Sequence, residues 1–234
     1  MQDHYPTLKV WHREIRTRFP ESMDLRVHRS LSWLQRAEQC GDDDDARFIF
    51  LWIAFNAAYA QEVRQDQPLP ETRILREFLD KLVELDHERS LSHVVWNEFP
   101  NAIKLLLNNK FVFQPYWDSQ NGRRWKGEWA GMFERAKVSA ARALGSDNTA
   151  EVLAAVFSRL YTLRNQMMQG GATWNSSVNR EQVRDGASML GQLVPVIIRI
   201  MMSHPEADWG EPCYPVVDSE RPRGNVGPGG SDPA

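Results

Sequence analysis

The stretch Tyr161-Thr-Leu-Arg164-Asn165-Gln-Met-Met-Gln169-Gly170-Gly171 holds the side chains best equipped for chemistry. It sets a guanidinium, amide side chains and two glycines at the end of a helical run. On an ideal helix Leu153, Phe157 and Leu160 share one face, and Arg164 continues it. A solvated arginine belongs opposite the apolar stripe, so Arg164 is expected to be partly buried or to face a partner. Asn165 and Gln169 stand four residues apart and share a face. Gly170 and Gly171 should unwind the helix, free backbone N–H groups and allow close approach. The amide of Gln169 donates and accepts hydrogen bonds but does not titrate. A plainer reading exists: an arginine in a last turn favours the helix dipole, and a glycine C-cap follows. That reading leaves unexplained the asparagine, the polar position five residues after the arginine, and the paired glycines taken together.

The helix that must carry these residues is expected over 149–168, with Ser146-Asp147-Asn148 offering caps. Ser22 is a plausible N-cap for a first helix to about Gln39, which Gly41 breaks. Asp42 to Asp45 could suggest a metal site. The stronger reading is that they satisfy free N–H groups and the positive dipole end of the next helix. That helix, from Arg47 to Tyr59, is apolar nearly all round and belongs in the middle of a bundle. Pro68 and Pro70 mark a loop, and Glu71 to Leu85 reads as amphipathic, with Ile74, Leu75, Phe78, Leu79 and Leu82 on one side. Ser90 to Asn108 reads as helix with a break at Pro100, and Glu128 to Leu144 as helix ended by Gly145. Asn179 with Gln182 resembles a capping box opening a last helix to about Ser203, which Pro195 should kink. Residues 1–21 read as an irregular lead, 110–126 as an irregular or extended insertion, 208–218 as an ordered strap packed by Trp209 and Tyr214, and 219–234 as disordered. The fold class expected is therefore all-α, a bundle of about six helices with one irregular insertion.

Composition narrows the function classes. Hydrophobic residues make up 42% and tryptophans number nine, enough for a full core in one domain. A net charge of −3 means that any nucleic-acid site must be a local patch. Cys40 and Cys213 lie far apart in no metal spacing, which suggests free thiols in a cytoplasmic protein, with neither disulfide nor zinc. The N-terminus shows no apolar signal region, and the longest apolar run, Phe48 to Ala60, is too short for a membrane span.

With "RNQ", two apolar residues, a polar position and then "GGATWNS", the motif resembles the Arg-Asn-x-x-x-His motif of HEPN-domain ribonucleases, particularly an abortive-infection-like bacterial branch. Gln169 stands where that motif has His. The resemblance extends to "DDDDARFIFLWIAFNAAYA" as the inner helix and "NREQVRDGASMLGQLVPVIIRIM" as the helix after the motif, and spans most of residues 22–218. It implies a HEPN-like helical bundle that forms a homodimer, with a composite site at the interface. It also implies metal-independent RNA cleavage without a cofactor: the ribose 2′-OH attacks the adjacent phosphate and leaves a cyclic phosphate. A toxin or anti-phage defence effector is the implied setting, with an antitoxin or another defence-system protein as a partner.

Such a reaction needs a cation at the phosphate and a group that moves protons near neutral pH. The resemblance assigns the first role to Arg164, a planar bidentate donor that stays charged. Asn165 would orient the phosphate or the proton-transfer residue. The second role falls to position 169, which Gln cannot fill, and its loss removes on the order of 10²–10⁴ in rate. Gln169 is then either an engineered inactivating change or a natural loss; the otherwise intact motif favours the first. The six histidines, His4, His12, His28, His87, His93 and His204, all lie outside the motif helix. His28, on the first helix, could face the site; each otherwise reads as an ordinary surface or core histidine.

Secondary candidates accompany the motif. Asn56, in an apolar helix, either bonds between helices or contacts Arg164 or Asn165. Tyr161 supplies a hydroxyl to the site or packs. Arg123-Arg124-Trp125-Lys126, with Trp117 and Trp129 nearby, can hold single-stranded RNA by stacking and phosphate contact, or is an exposed loop with a hydrophobic anchor. Arg135, Lys137 and Arg142 could extend that patch. Three readings result: a nuclease impaired at Gln169, a non-catalytic HEPN module that dimerises or binds RNA or nucleotide, and a helical adaptor whose Arg164 pairs with an acid.

Overall fold

The computed structural model describes residues 3–61 and 71–214, and among them every regular element is helical. The α-helices are α1 (Tyr5–Ile15), α2 (Glu21–Glu38), α3 (Asp44–Tyr59), α4 (Glu71–Leu85), α5 (Ser90–His93), α6 (Pro100–Leu107), α7 (Gln114–Gln120), α8 (Glu128–Gly145), α9 (Thr149–Met168) and α10 (Arg180–Ser203). The all-α expectation holds.

The acids before α3 act as capping chemistry requires. The Asp43 carboxylate accepts the Ala46 N–H at 3.0 Å, filling one of the donors that a helix start leaves open. Because α3 is apolar nearly all round, it sits inside the molecule, packed on α2 and α10. Its rings meet α9, where Phe55 stacks on Phe157 with centroids 4.2 Å apart. A Cβ at Gly186 of α10 would lie 3.0 Å from the Phe48 ring and 3.1 Å from Leu160, so the missing side chain lets α10 approach both α3 and α9. On its other sides α9 packs on α4, α6 and α8. α10 is long and apolar enough to cross a membrane, but 72% of its apolar window is buried within the bundle. Its apolarity is therefore used by the core. The helix runs unbroken through Pro195.

The structure departs from the sequence reading in several places. The lead is not irregular: α1 starts with Pro6 in its first turn and buries Leu8 and His12 while Tyr5, Trp11 and Ile15 pack on the core. The 3–4 residue spacing of those side chains is the helical signal that the punctuation by Pro6 and Pro20 masked. The 110–126 insertion contains helix α7, which starts at a Gln-Pro pair compatible with a first turn. Asn179 does not cap α10 through its side chain; its backbone is left-handed, with φ 60°, and its amide points across to α9.

The described part of the strap near the C-terminus is held at both ends, at its far end by Arg29, which donates to the carbonyls of Cys213 (3.1 Å) and Tyr214 (2.7 Å). Trp209 is buried against Phe78, centroids 5.9 Å apart, and donates to the His204 carbonyl at 2.9 Å. Tyr214 is 87% exposed and packs nothing together, contrary to expectation. A fully buried Arg26 supplies a further clamp, donating to the carbonyls of Ala58 (3.0 Å), Ala60 (2.7 Å) and Gly210 (3.1 Å). Burial pulls its guanidinium down to about 10. The Pro68–Pro70 loop, residues 215–218 of the strap and the 219–234 tail lie outside the described residues.

Candidate functional site

The last turn of α9 carries the motif, and its two glycines each have a separate cause. Gly170 takes φ 70°, the left-handed position after a helix end. A Cβ at Gly171 would sit 2.9 Å from the Gln166 carbonyl oxygen. The Gly171 N–H donates to that carbonyl at 2.7 Å and the Gly170 N–H to the Met167 carbonyl at 3.2 Å, the two bonds of a Schellman cap. These N–H groups are consumed by the helix end rather than freed for a ligand, which corrects the expectation drawn from the sequence.

Arg164 is half-buried, as its place on the apolar face required. Its Nη1 donates to the Asn165 Oδ1 at 2.9 Å, and no acid lies within ion-pair distance among the described residues. Asn165 therefore holds the guanidinium through its oxygen and keeps its NH2 group free to donate. Gln169 is exposed, and its amide has no hydrogen-bond partner among the described residues.

A cleft of about 440 Å³ opens beside this turn, between α9, the 111–123 segment and the start of α10. Asn165, Gln166 and Gln169 face it from α9, Gln114 and Asn121 from the α7 region, and Asn179 from before α10. Aromatic walls come from Phe111 and Trp117, and Arg123 is the cation on its lining. No carboxylate lines it among the described residues.

Gln166 is the hub that shapes the cleft. Its Nε2 donates to the Phe111 carbonyl at 2.6 Å, and its Oε1 accepts from Asn179 Nδ2 at 3.2 Å. The Phe111 carbonyl also accepts from Trp117 Nε1 at 2.8 Å, which fixes the indole. One amide thus ties three chain segments together. The 172–179 loop is tied in from the other side: Trp174 Nε1 donates to Asp43 at 3.3 Å, the Asn175 N–H to Asp45 at 3.3 Å, and Arg180 pairs with Asp45 at 2.7 Å. The acid run serves the loop after the motif as well as the helix cap.

The sequence-predicted residues distribute as follows. Asn165, Gln169 and Arg123 meet in the cleft, and Arg164 stands behind Asn165. Arg124 and Lys126 lie exposed on the adjacent turn, around a Trp125 that is 86% exposed and anchors nothing. Asp118 tempers the turn, 3.9 Å from Arg123 and 3.7 Å from Arg124. Tyr161 is elsewhere: it packs on Trp52, centroids 6.1 Å apart, and lines a separate apolar cleft with Phe55 and Tyr59. Asn56 makes no hydrogen bond to Arg164 or Asn165. On α8, Lys137 pairs with Glu134 at 3.1 Å, away from the cleft lining.

None of the six histidines lines the cleft. His12 is buried against Asp24 at 2.8 Å, and its burial, opposed by that hydrogen bond, lowers its pKa. His28 is exposed on α2. Among the described residues the cleft therefore offers charge and hydrogen bonds, and no histidine.

Reasoning from the sequence missed Gln166, Gln114 and Asn179 as cleft residues, since single amides carry no pattern. It also missed Arg159, 5% exposed on α9, whose guanidinium lies 4.3 Å from the Phe113 ring and 5.6 Å from that of Phe133. Burial pulls it down to about 10. It pins the segment bearing the cleft wall to α9. No protein-family model, no curated protein and no solved structure matches the chain. The HEPN resemblance thus rests on the residues quoted for it.

Proposed function

We propose that the chain is a HEPN-type RNA-acting protein of a toxin or anti-phage defence system, a metal-independent endoribonuclease in design whose cleavage step is impaired at Gln169. The observation that carries this reading is the state of Arg164: half-buried, unpaired with any acid among the described residues, and bonded to Asn165, which lines a cleft with Gln169 and Arg123. The structural arginines of this molecule engage a carboxylate, as Arg180 does, or are fully packed on carbonyls or rings, as Arg26 and Arg159 are; Arg164 is half-buried and, among the described residues, bonded only to Asn165. A charge left unpaired next to a cleft residue suits a phosphate. The reaction would be attack of the ribose 2′-OH on the adjacent phosphorus, with Arg164 stabilising the charge that develops on the phosphoryl oxygens. The exposed Met168, Trp174 and Val178 surround the motif's end and suit a homodimer interface that brings two motifs together.

The test is RNA cleavage by the chain beside Gln169→His, with chelator present. Restoring a titrating group is expected to raise the rate by on the order of 10²–10⁴. Silence in both forms overturns the nuclease reading. A second reading is then favoured, by the absence of histidine from the cleft lining: a non-catalytic module that binds RNA or nucleotide within a defence system.

A further inference from the structure

We infer that the cleft beside α9 is an adenine-reading pocket, an inference that rests on the RNA reading above and names the base it takes. Asn121 and Gln169 line the cleft from two different elements, and neither amide has a hydrogen-bond partner among the described residues. Asn165 adds an NH2 group not used within the protein, since its oxygen is engaged by Arg164. Each whole amide offers one donor beside one acceptor. Adenine is the base whose two edges both match that pattern: the N6 amino group stands between N7 and N1, so it gives one hydrogen to each side. Guanine matches on its N1 side but not on its N7 side, because O6 and N7 are both acceptors; its other match, N2–H beside N3, lies next to the sugar. Each pyrimidine has a single such edge.

The remaining walls suit an unstacked base. Phe111 and Trp117 supply aromatic surface, and Trp117 is held rigid by its bond to the Phe111 carbonyl. Arg123 stands at the lining for a flanking phosphate, and the exposed Trp125 beside it offers a platform for the next base. The cleft volume of about 440 Å³ accommodates one nucleotide. Adenine could arrive in a single strand of RNA or as a free adenine nucleotide; both present the same two edges.

The experiment measures binding of labelled oligo(A), oligo(C) and oligo(U) RNA, and of AMP, to the full chain and to Asn121→Ala and Gln169→Leu. Both substituted side chains are exposed, and thermal melts check that the variants fold. Oligo(A) is expected to bind about tenfold more tightly than the pyrimidine oligomers, with either variant narrowing that preference. Equal binding of all three RNAs would overturn the adenine pocket and leave the RNA reading standing. A preference untouched by both variants would overturn the cleft as its source. AMP binding that both variants weaken, without oligo(A) binding, would keep the pocket and overturn the RNA reading. Binding of neither RNA nor AMP would overturn both.

Discussion

The two ends of α9 obey different rules. Over its first four turns Val152, Leu153, Val156, Phe157 and Leu160 are buried among rings and aliphatic chains of α3, α4 and α10. Over its last turn Asn165, Gln166 and Gln169 face a cleft lined by amides and aromatic rings. The first region is held by non-directional burial, where a loss is shared among many contacts. The second is held in part by a few directional hydrogen bonds through Gln166, where one loss unties Phe111 or Asn179 from α9. The same helix is thus packed in the core at one end and hydrogen-bonded around a cleft at the other, a division suited to a site carried on a fixed frame.

Replacing one residue on each side should separate the two regions. Phe157→Ala removes the ring stacked on Phe55 and leaves a cavity, so an unfolding loss of about 3–5 kcal/mol is expected in denaturant titrations, with both regions lost together. A loss confined to the cleft would break the comparison. Gln166→Ala removes two hydrogen bonds at a partly exposed site and should cost about 1 kcal/mol of stability. Its effect on RNA binding should be disproportionate, because Phe111 and Asn179 lose their common tie. Unchanged RNA affinity in that variant would show that the wall stands without it.

The smallest expected effect lies outside both regions, at His12. Burial lowers its pKa from the ordinary 6.5, so the folded chain holds it neutral where the unfolded chain takes up a proton. The stability this contributes is complete above pH 6.5 and declines as pH falls below that value toward the folded pKa. Urea midpoints at mildly acidic and neutral pH should therefore differ less in His12→Phe than in the original chain. An equal difference in both would remove His12 as a source of acid sensitivity.

Much of the frame was legible because helix periodicity is local. The stripe Ile74, Phe78, Leu79 and Leu82 and the acid cap at Asp43 identify α4 and α3 from neighbours alone, and α4 and α9 have the bounds that the pattern predicts. The Arg164 position on the apolar face likewise foretold its partial burial. The glycines misled in part, since a pair after a helix reads equally as an open anion cradle or as a Schellman cap. Only the hydrogen bonds to Gln166 and Met167 decide between them.

By itself, the sequence determined an all-α bundle, an inner helix apolar nearly all round, and a motif helix ending in an arginine, amides and glycines. Each of these follows from spacing within one helix. Tertiary structure alone decided that Gln114, Asn121 and Asn179 join Asn165 and Gln169 around one cleft, and that Tyr161 faces a different one. It also decided that Arg26 and Arg159 are buried without an acidic partner among the described residues, one on carbonyls and the other mainly on rings. Such groupings depend on how segments far apart in the chain cross, and amide or arginine side chains announce no partner until the crossing is made.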